Sequence, residues 1–205
     1  MSQINPYMAK RWVKWLLPFY LFTFLPFLTS CSEADETEEE YANWEQKNNE
    51  AFMKVYNQAS SSADGQWRVI RSYTKADSHD GADNPYDYIV VEVMETGDGT
   101  LSPCLTDTVA IHYLGRLLPS ASYAKGFVFD SSYDGEYNKA TSHPYDLATP
   151  GDFNKGFSTA LQHMHIGDYW RVYIPYQLGY GESGGTIIPG YSMLIFDLRL
   201  QDFWR

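Results

Sequence analysis

The chain of 205 residues is short of cysteine, positive charge and long apolar runs. Its only two cysteines, Cys31 and Cys104, rule out a disulfide framework. Fifteen Lys and Arg stand against 26 Asp and Glu, for a formal net charge of −11. That balance argues against a nucleic-acid partner, which needs a basic footprint. The most apolar stretch, WLLPFYLFTFLPFL over 15–28, is too short and too interrupted by Pro18 and Pro26 to read as a membrane span. No internal repeat is visible. One further absence decides a motif. GYGESG over 179–184 places Gly179, Gly181 and Gly184 in the G-x-G-x-x-G spacing of dinucleotide loops, and the strand-like WRVYIP precedes it. That chemistry needs a helix opening directly after the loop, so that its N-terminus faces the pyrophosphate. Pro189 and Gly190 follow instead, and then an alternating apolar run with strand chemistry. The loop belongs to something else.

What the chain does have is aromatics, 17 Tyr and 11 Phe, which suit β-structure and apolar clefts. It also opens like an exported protein. Lys10, Arg11 and Lys14 precede the apolar run, as in a signal peptide. LTSC over 28–31 resembles a bacterial lipobox, in which the Cys, here Cys31, is diacylated and becomes the mature N-terminus. The plainer alternative is an ordinary secretory leader with a chance cysteine. Two or three acyl chains hold a protein stably to a membrane where one does so marginally. Glu33, Asp35, Glu36, Glu38, Glu39 and Glu40 crowd behind Cys31. They read as a solvated, self-repelling tether. They also resemble the acidic signals that carry some Gram-negative lipoproteins to the outer surface. The expected organisation is a lipoprotein signal peptide over 1–30 and an acidic tether over 31–37. The expected location is extracytoplasmic, anchored through Cys31 to the outer membrane of a Gram-negative bacterium, with surface exposure as the alternative that the acidic run adds.

From 38 to 58 the spacing predicts a helix with Tyr41, Trp44, Ala51, Phe52 and Val55 on one stripe, packed on its own domain or on a partner subunit. SSSADG ends it, QWRVIRSY over 66–73 reads as a strand, and 75–85 reads as a loop. Beyond it, strands are expected over YDYIVVEVMETGDGT, DTVAIHYLGRLL, GFVFDSS, YWRVYIP and YSMLIFDLRLQDF. A short helix over 152–168 would carry Phe153, Phe157, Ala160, Leu161 and Met164 on one side and stop at Gly167. One helix among mostly antiparallel strands makes an α+β domain, with the helix laid across a sheet face.

DTVAIHYLGRL, FVFDSS, FNKGFSTALQHMHIGD, VYIPYQLGYGESG, TIIPG and LIFDLRLQDF follow one another in the order and spacing of the FKBP-type peptidyl-prolyl isomerases, which residues 88–204 resemble. The resemblance implies a twisted antiparallel sheet wrapped around one short helix, with the pocket between them. It makes 88–205 the isomerase domain and 38–87 a helical extension and linker. The implied catalytic positions are Tyr113, Phe129, Asp130, Phe157 at the pocket floor, Tyr180 on the glycine loop and Phe196. The implied substrate-binding positions are Tyr145, Phe153, Asn154, Ile187 and Ile188. Departures from the family pattern are Phe157 for Trp, Tyr145 for Phe and Asn154 for Ile. The loop after Gly181 is about one residue shorter, and the connections over 118–127 and 135–143 are longer.

The implied activity is acceleration of X–Pro isomerisation in folding outside the cytoplasm. The alternative is an FKBP-fold chaperone or binding module with weak turnover. Proline-containing polypeptides are the implied partners, a macrolide the implied inhibitor, and no metal or cofactor is needed. Rotation about a peptide bond costs about 18–20 kcal/mol because planarity preserves its double-bond character. A dry aromatic pocket disfavours the charge-separated planar form, and placed donors hold the twisted carbonyl. Other candidate sites are weaker. His163 and His165, two apart on the expected helix, point away from each other, which argues against a metal. His112 reads as a buried histidine bonded to backbone, and Cys104 as a lone small apolar residue.

Overall fold

The computed structural model describes residues 40–75 and 84–205. The expected signal peptide, Cys31, the tether over 31–37 and the middle of the 75–85 loop lie outside the described residues. Helix α1 runs Trp44–Ser61, and strands β1 and β2 run Trp67–Arg71 and Tyr88–Glu95. Strands β3, β4 and β5 are Thr108–Arg116, Val128–Ser131 and Tyr145–Ala148. Helix α2 spans Lys155–Leu161, and β6 and β7 span Tyr169–Ile174 and Leu194–Trp204.

The strands form one antiparallel sheet ordered β1-β2-β6-β7-β3-β4. The free edge of β3 is shared. Leu114–Arg116 pair with β4, while Val109 and Ile111 pair with β5. The chain between those two short strands therefore leaves the sheet beside Tyr113, where the Ser132 hydroxyl accepts from the Tyr113 N–H.

Successive strand residues face opposite sides, so a strand buried on both sides must be covered twice. β2 shows this: Ile89, Val90 and Val91 are all fully buried. Ile89 and Val91 join the core beneath α2, with Phe157, Ala160, Leu161, Val172, Phe196 and Leu198. Val90 faces the other way and packs with Phe52, Ala59 and Met193 beneath α1, flanked by Trp67, Val69, Tyr173 and Ile195. The two helices thus cover opposite faces of the sheet, and the apolar stripe of α1 lies on its own chain. Its buried residues are Trp44, Asn48, Phe52 and Ala59. The stripe contains a polar member, Asn48, among the expected apolar ones.

Helix α2 is shorter than expected. After Leu161 the chain turns, and Asp168 captures the N–H of His165, so this donor satisfies a carboxylate and not a helical carbonyl; the same carboxylate takes the N–H of Gly97 in the loop after β2. Cys104, expected to be a lone small apolar residue, is exposed in the loop before β3.

Phe52 is fully buried and its ring stacks on Tyr86 at 5.6 Å. Phe52→Ala should therefore cost about 3–5 kcal/mol of stability. Urea unfolding should show the loss in its midpoint; an unchanged midpoint would mean that α1 is not part of the folded unit.

Candidate active site

The residues that converge on one cleft come from five separate segments. Tyr113 stands on β3, Asp130 on β4 and Phe196 on β7. Asp152, Phe153, Asn154 and Phe157 come from the entrance and first turn of α2, and Tyr180 from the glycine loop. Asn154 begins the helix. Its side-chain oxygen accepts from the Phe157 N–H at 3.0 Å, which satisfies one of the helix's orphan donors. The polar group that replaces an apolar one at this position is thus turned to the helix, and the Asn154 backbone N–H stays without an intrahelical partner.

Phe157, 2% exposed, forms the inner wall with Phe196 at 4.8 Å and 80° between ring planes. Tyr113 meets Phe157 edge-on at 5.8 Å and Phe196 at 6.3 Å. Phe153 leans on Phe157 at 4.5 Å. Edge-to-face contacts of this kind hold the rings in fixed orientations.

The polar groups divide by role. The Tyr113 hydroxyl donates to Asp130 Oδ2 at 3.1 Å, so it is already committed. Burial first, and then the negative charge of Asp130, pushes the Tyr113 phenol far above its usual range. Tyr180 is 45% exposed at the mouth, and no hydrogen bond within the described residues engages its hydroxyl. Its pKa is raised as well, by burial and then by Asp130. Both phenols stay protonated well into alkaline pH, and Tyr180 is the one with a proton to offer.

Not every expected residue lines the cleft. Phe129 stands behind it, edge-on to Phe196 at 5.4 Å. Tyr145, half exposed, touches the outer side of Tyr113 at 6.1 Å. Ile188 is buried in the core, whereas Ile187 is exposed on the loop. The structure adds Asp152, whose carboxylate accepts from the Thr149 N–H at 2.9 Å and from its hydroxyl at 3.0 Å. These bonds, backbone first, hold its carboxyl below the usual range. The signal for it was in TPGD over 149–152, a Thr three residues before an acid with Pro between.

The remaining candidates fall elsewhere. His163 Nδ1 lies 2.9 Å from its own helix carbonyl at Thr159, and His165 lies beside Asp168. No group of three or more metal-ligating side chains occurs among the described residues. His112 is buried as expected but against Tyr133 and Tyr137, not on a backbone group, and its Nδ1 has no partner among the described residues. Burial, with Arg199 next, lowers its pKa and keeps it neutral. The glycine loop runs into β7 with no intervening helix, and Gly181 and Gly184 both take positive φ to bend it back.

Gly115 is the residue the rings depend on. A Cβ there would lie 2.6 Å from Phe196 Cε1 and 2.6 Å from Phe129 Cζ. Gly115→Ala must displace one ring or the other. It should cost about 1–3 kcal/mol through overpacking, read from the thermal midpoint, and shift the ring resonances of Phe129 and Phe196. Unmoved resonances would contradict the packing.

Residues 99–201 match the model of the family described as FKBP-type peptidyl-prolyl cis-trans isomerase. The chain is 41% identical over 113 residues to a macrophage infectivity potentiator of Trypanosoma cruzi, covering 55% of this chain and 51% of that protein. It is 36% identical over 111 residues to the FKBP-type 22 kDa peptidyl-prolyl cis-trans isomerase of Escherichia coli K12, covering 54% of this chain and 47% of the relative. It therefore spans about half the length of these curated relatives. Among solved structures, FkpA from Escherichia coli superimposes with a TM-score of 0.55 at 24% identity, over 79% of this chain and 62% of that one, a likeness of fold. With half of its length matched to one family model, the chain belongs to the FKBP-type peptidyl-prolyl cis-trans isomerase family.

Proposed function

We propose that the protein accelerates cis–trans isomerisation of X–Pro bonds in polypeptides, by removing the prolyl amide from water inside the cleft of Tyr113, Phe157 and Phe196. The observation that carries this reading is the division of the phenols: Tyr113 is tied to Asp130, while Tyr180 has an uncommitted donor at the mouth of an aromatic cleft. A prolyl ring fits the apolar wall, and the planar, charge-separated amide loses hydration there. As the bond twists, the Tyr180 hydroxyl and the Asn154 N–H are the donors within reach of the substrate carbonyls. No proton is transferred and none of the cleft residues needs to change charge. Isomerisation that takes tens to hundreds of seconds unaided is slow enough to limit folding, which is what gives such a catalyst a purpose. A macrolide that presents an amide in an apolar ring system suits the same wall as an inhibitor.

The contributions should be unequal. Tyr180→Phe keeps the ring and loses one neutral donor, about 0.5–1.5 kcal/mol, so kcat/KM on an X–Pro peptide should fall several-fold. Phe157→Ala opens the wall to water and should remove most of the turnover, with about 3–5 kcal/mol of packing lost as well. Folding of each variant is verified first by circular dichroism. Because the Tyr113 and Tyr180 phenols are raised, their ionisation can lower activity only on the alkaline side. The profile of kcat/KM should be flat from about pH 6 to 8. A bell-shaped profile with Asp130→Asn inactive would mean acid–base catalysis. Wild type that binds a prolyl peptide without turning it over would leave the family fold as a binding or chaperone module.

We infer further that the protein works outside the cytoplasm, held to a membrane by lipid on Cys31. The support is in the sequence: the basic start, the apolar run over 15–28 and LTSC. Residues 1–30 would be the signal peptide, 31–37 the tether, 38–87 the extension and 88–205 the isomerase domain. Labelled palmitate should mark the wild type and not Cys31→Ser; equal labelling of the two would remove the anchor.

A further inference from the structure

The loop that carries Tyr180 is held by a helix outside the part of the chain matched to the family, which begins at residue 99. Tyr191 closes this loop with φ +62°, a left-handed conformation that is an outlier for a bulky side chain. Such strain persists only where the surroundings over-determine it. Here the determinants are visible. The Tyr191 N–H donates to the Gly181 carbonyl at 3.0 Å, one residue from Tyr180. The next residue, Ser192, is buried; its hydroxyl donates to the Pro189 carbonyl at 2.7 Å and accepts from Trp44 Nε1 at 2.8 Å. The next again, Met193, precedes β7, and its N–H is taken by Asn48 Oδ1 at 2.8 Å. Asn48 is 1% exposed, and its own amide donates to the Trp44 carbonyl at 2.6 Å. Within the loop itself Gly185 bonds back to Ile188, the residue that enters the core.

We propose that α1 is a positioning element for the cleft: Asn48 and Trp44 clamp Ser192 and Met193, which holds Tyr191 left-handed and so sets the place of Tyr180 and Ile188. Neither α1 residue lines the cleft. The bonds are made one turn apart on a single helix face to two consecutive loop residues, so the helix fixes the direction of the turn as well as its position. A packing role alone needs no polar group there, and Phe52 supplies packing two turns from Trp44. The effect on turnover rests on the isomerase reading above; the effect on the loop does not.

The test compares Asn48→Ala with Phe52→Leu, which loosens the same helix and the apolar cluster it shares with Met193 but leaves both hydrogen bonds to the loop in place. It adds Tyr191→Asn, since Asn accepts the left-handed region far more readily than Tyr. The readouts are kcat/KM per folded molecule on an X–Pro peptide, the thermal midpoint, and hydrogen exchange at the Tyr191 amide, whose acceptor none of these substitutions removes. Asn48→Ala leaves the Met193 N–H buried without an acceptor. It should lower kcat/KM about three- to ten-fold and speed Tyr191 exchange. Phe52→Leu should lower the midpoint while leaving both unchanged. Adding Tyr191→Asn to Asn48→Ala should recover most of the lost turnover, because the clamp is no longer needed to hold a strained residue. Equal kcat/KM in Asn48→Ala and wild type would overturn the proposal, and so would an absence of recovery. If wild type shows no turnover, the isomerase reading fails by itself, and exchange decides the clamp. Faster Tyr191 exchange in Asn48→Ala but not in Phe52→Leu then supports it, and equal exchange overturns it.

Discussion

The contact between Phe157 and Phe196, 4.8 Å from ring centre to ring centre, joins α2 to the sheet along the inner wall of the cleft. Much of the rest follows from keeping it. Phe196 can lie where it does because Gly115 on the neighbouring strand offers no side chain, and Phe129 fills the space behind it. Phe157 is placed by the start of α2, which the Asn154 side chain caps. Tyr113 closes the wall, and its hydroxyl would be a buried polar group in an apolar site but for Asp130. The cleft is apolar by packing, and its polar atoms are either satisfied internally or offered to a ligand.

A sheet with helices on both faces also explains why the N-terminal extension is more than an appendage to the folded part. β2 buries Val90 against α1 and Ile89 and Val91 beneath α2, so removing either helix would expose apolar strand surface. The same helix reaches the end of the glycine loop through Trp44 and Asn48. Packing on one face of the sheet and placement of a loop that serves the other face are tied together through Ser192 and Met193.

The strands were legible because local pattern sets them, and the cleft aromatics because the motifs around them resemble a family. Alternation marked β3 and β7, and the resemblance of HYLG, FDSS and LIFD to the family pattern implied that Tyr113, Asp130 and Phe196 share one pocket. What escaped was decided by three-dimensional context. Asn48 is polar and breaks the apolar stripe it belongs to; the N–H of Met193, 145 residues away, which bonds to its Oδ1, gives it a reason to be buried. The left-handed Tyr191 carries no sequence signature, since Gly or Asn would be the residue expected there. Helix α2 was drawn too long because the apolar period continues to Met164, while Asp168 takes the His165 N–H that a longer helix would use. Ile187 and Ile188 look alike in sequence, yet one is exposed and the other buried, as neighbours on a loop must often be.

The chemistry ascribed to the cleft is unusual for an enzyme in that nothing in it has to ionise. The phenols are raised by burial and by Asp130, and the walls are hydrocarbon. Catalysis by desolvation and by neutral donors moves no proton in the step that turns the bond. The solvent isotope effect on kcat/KM reads this directly, with the wild type and one X–Pro peptide in H2O and in D2O. Turnover in both solvents with a ratio close to unity is the predicted result; a ratio of about two or more would signal proton transfer and contradict it.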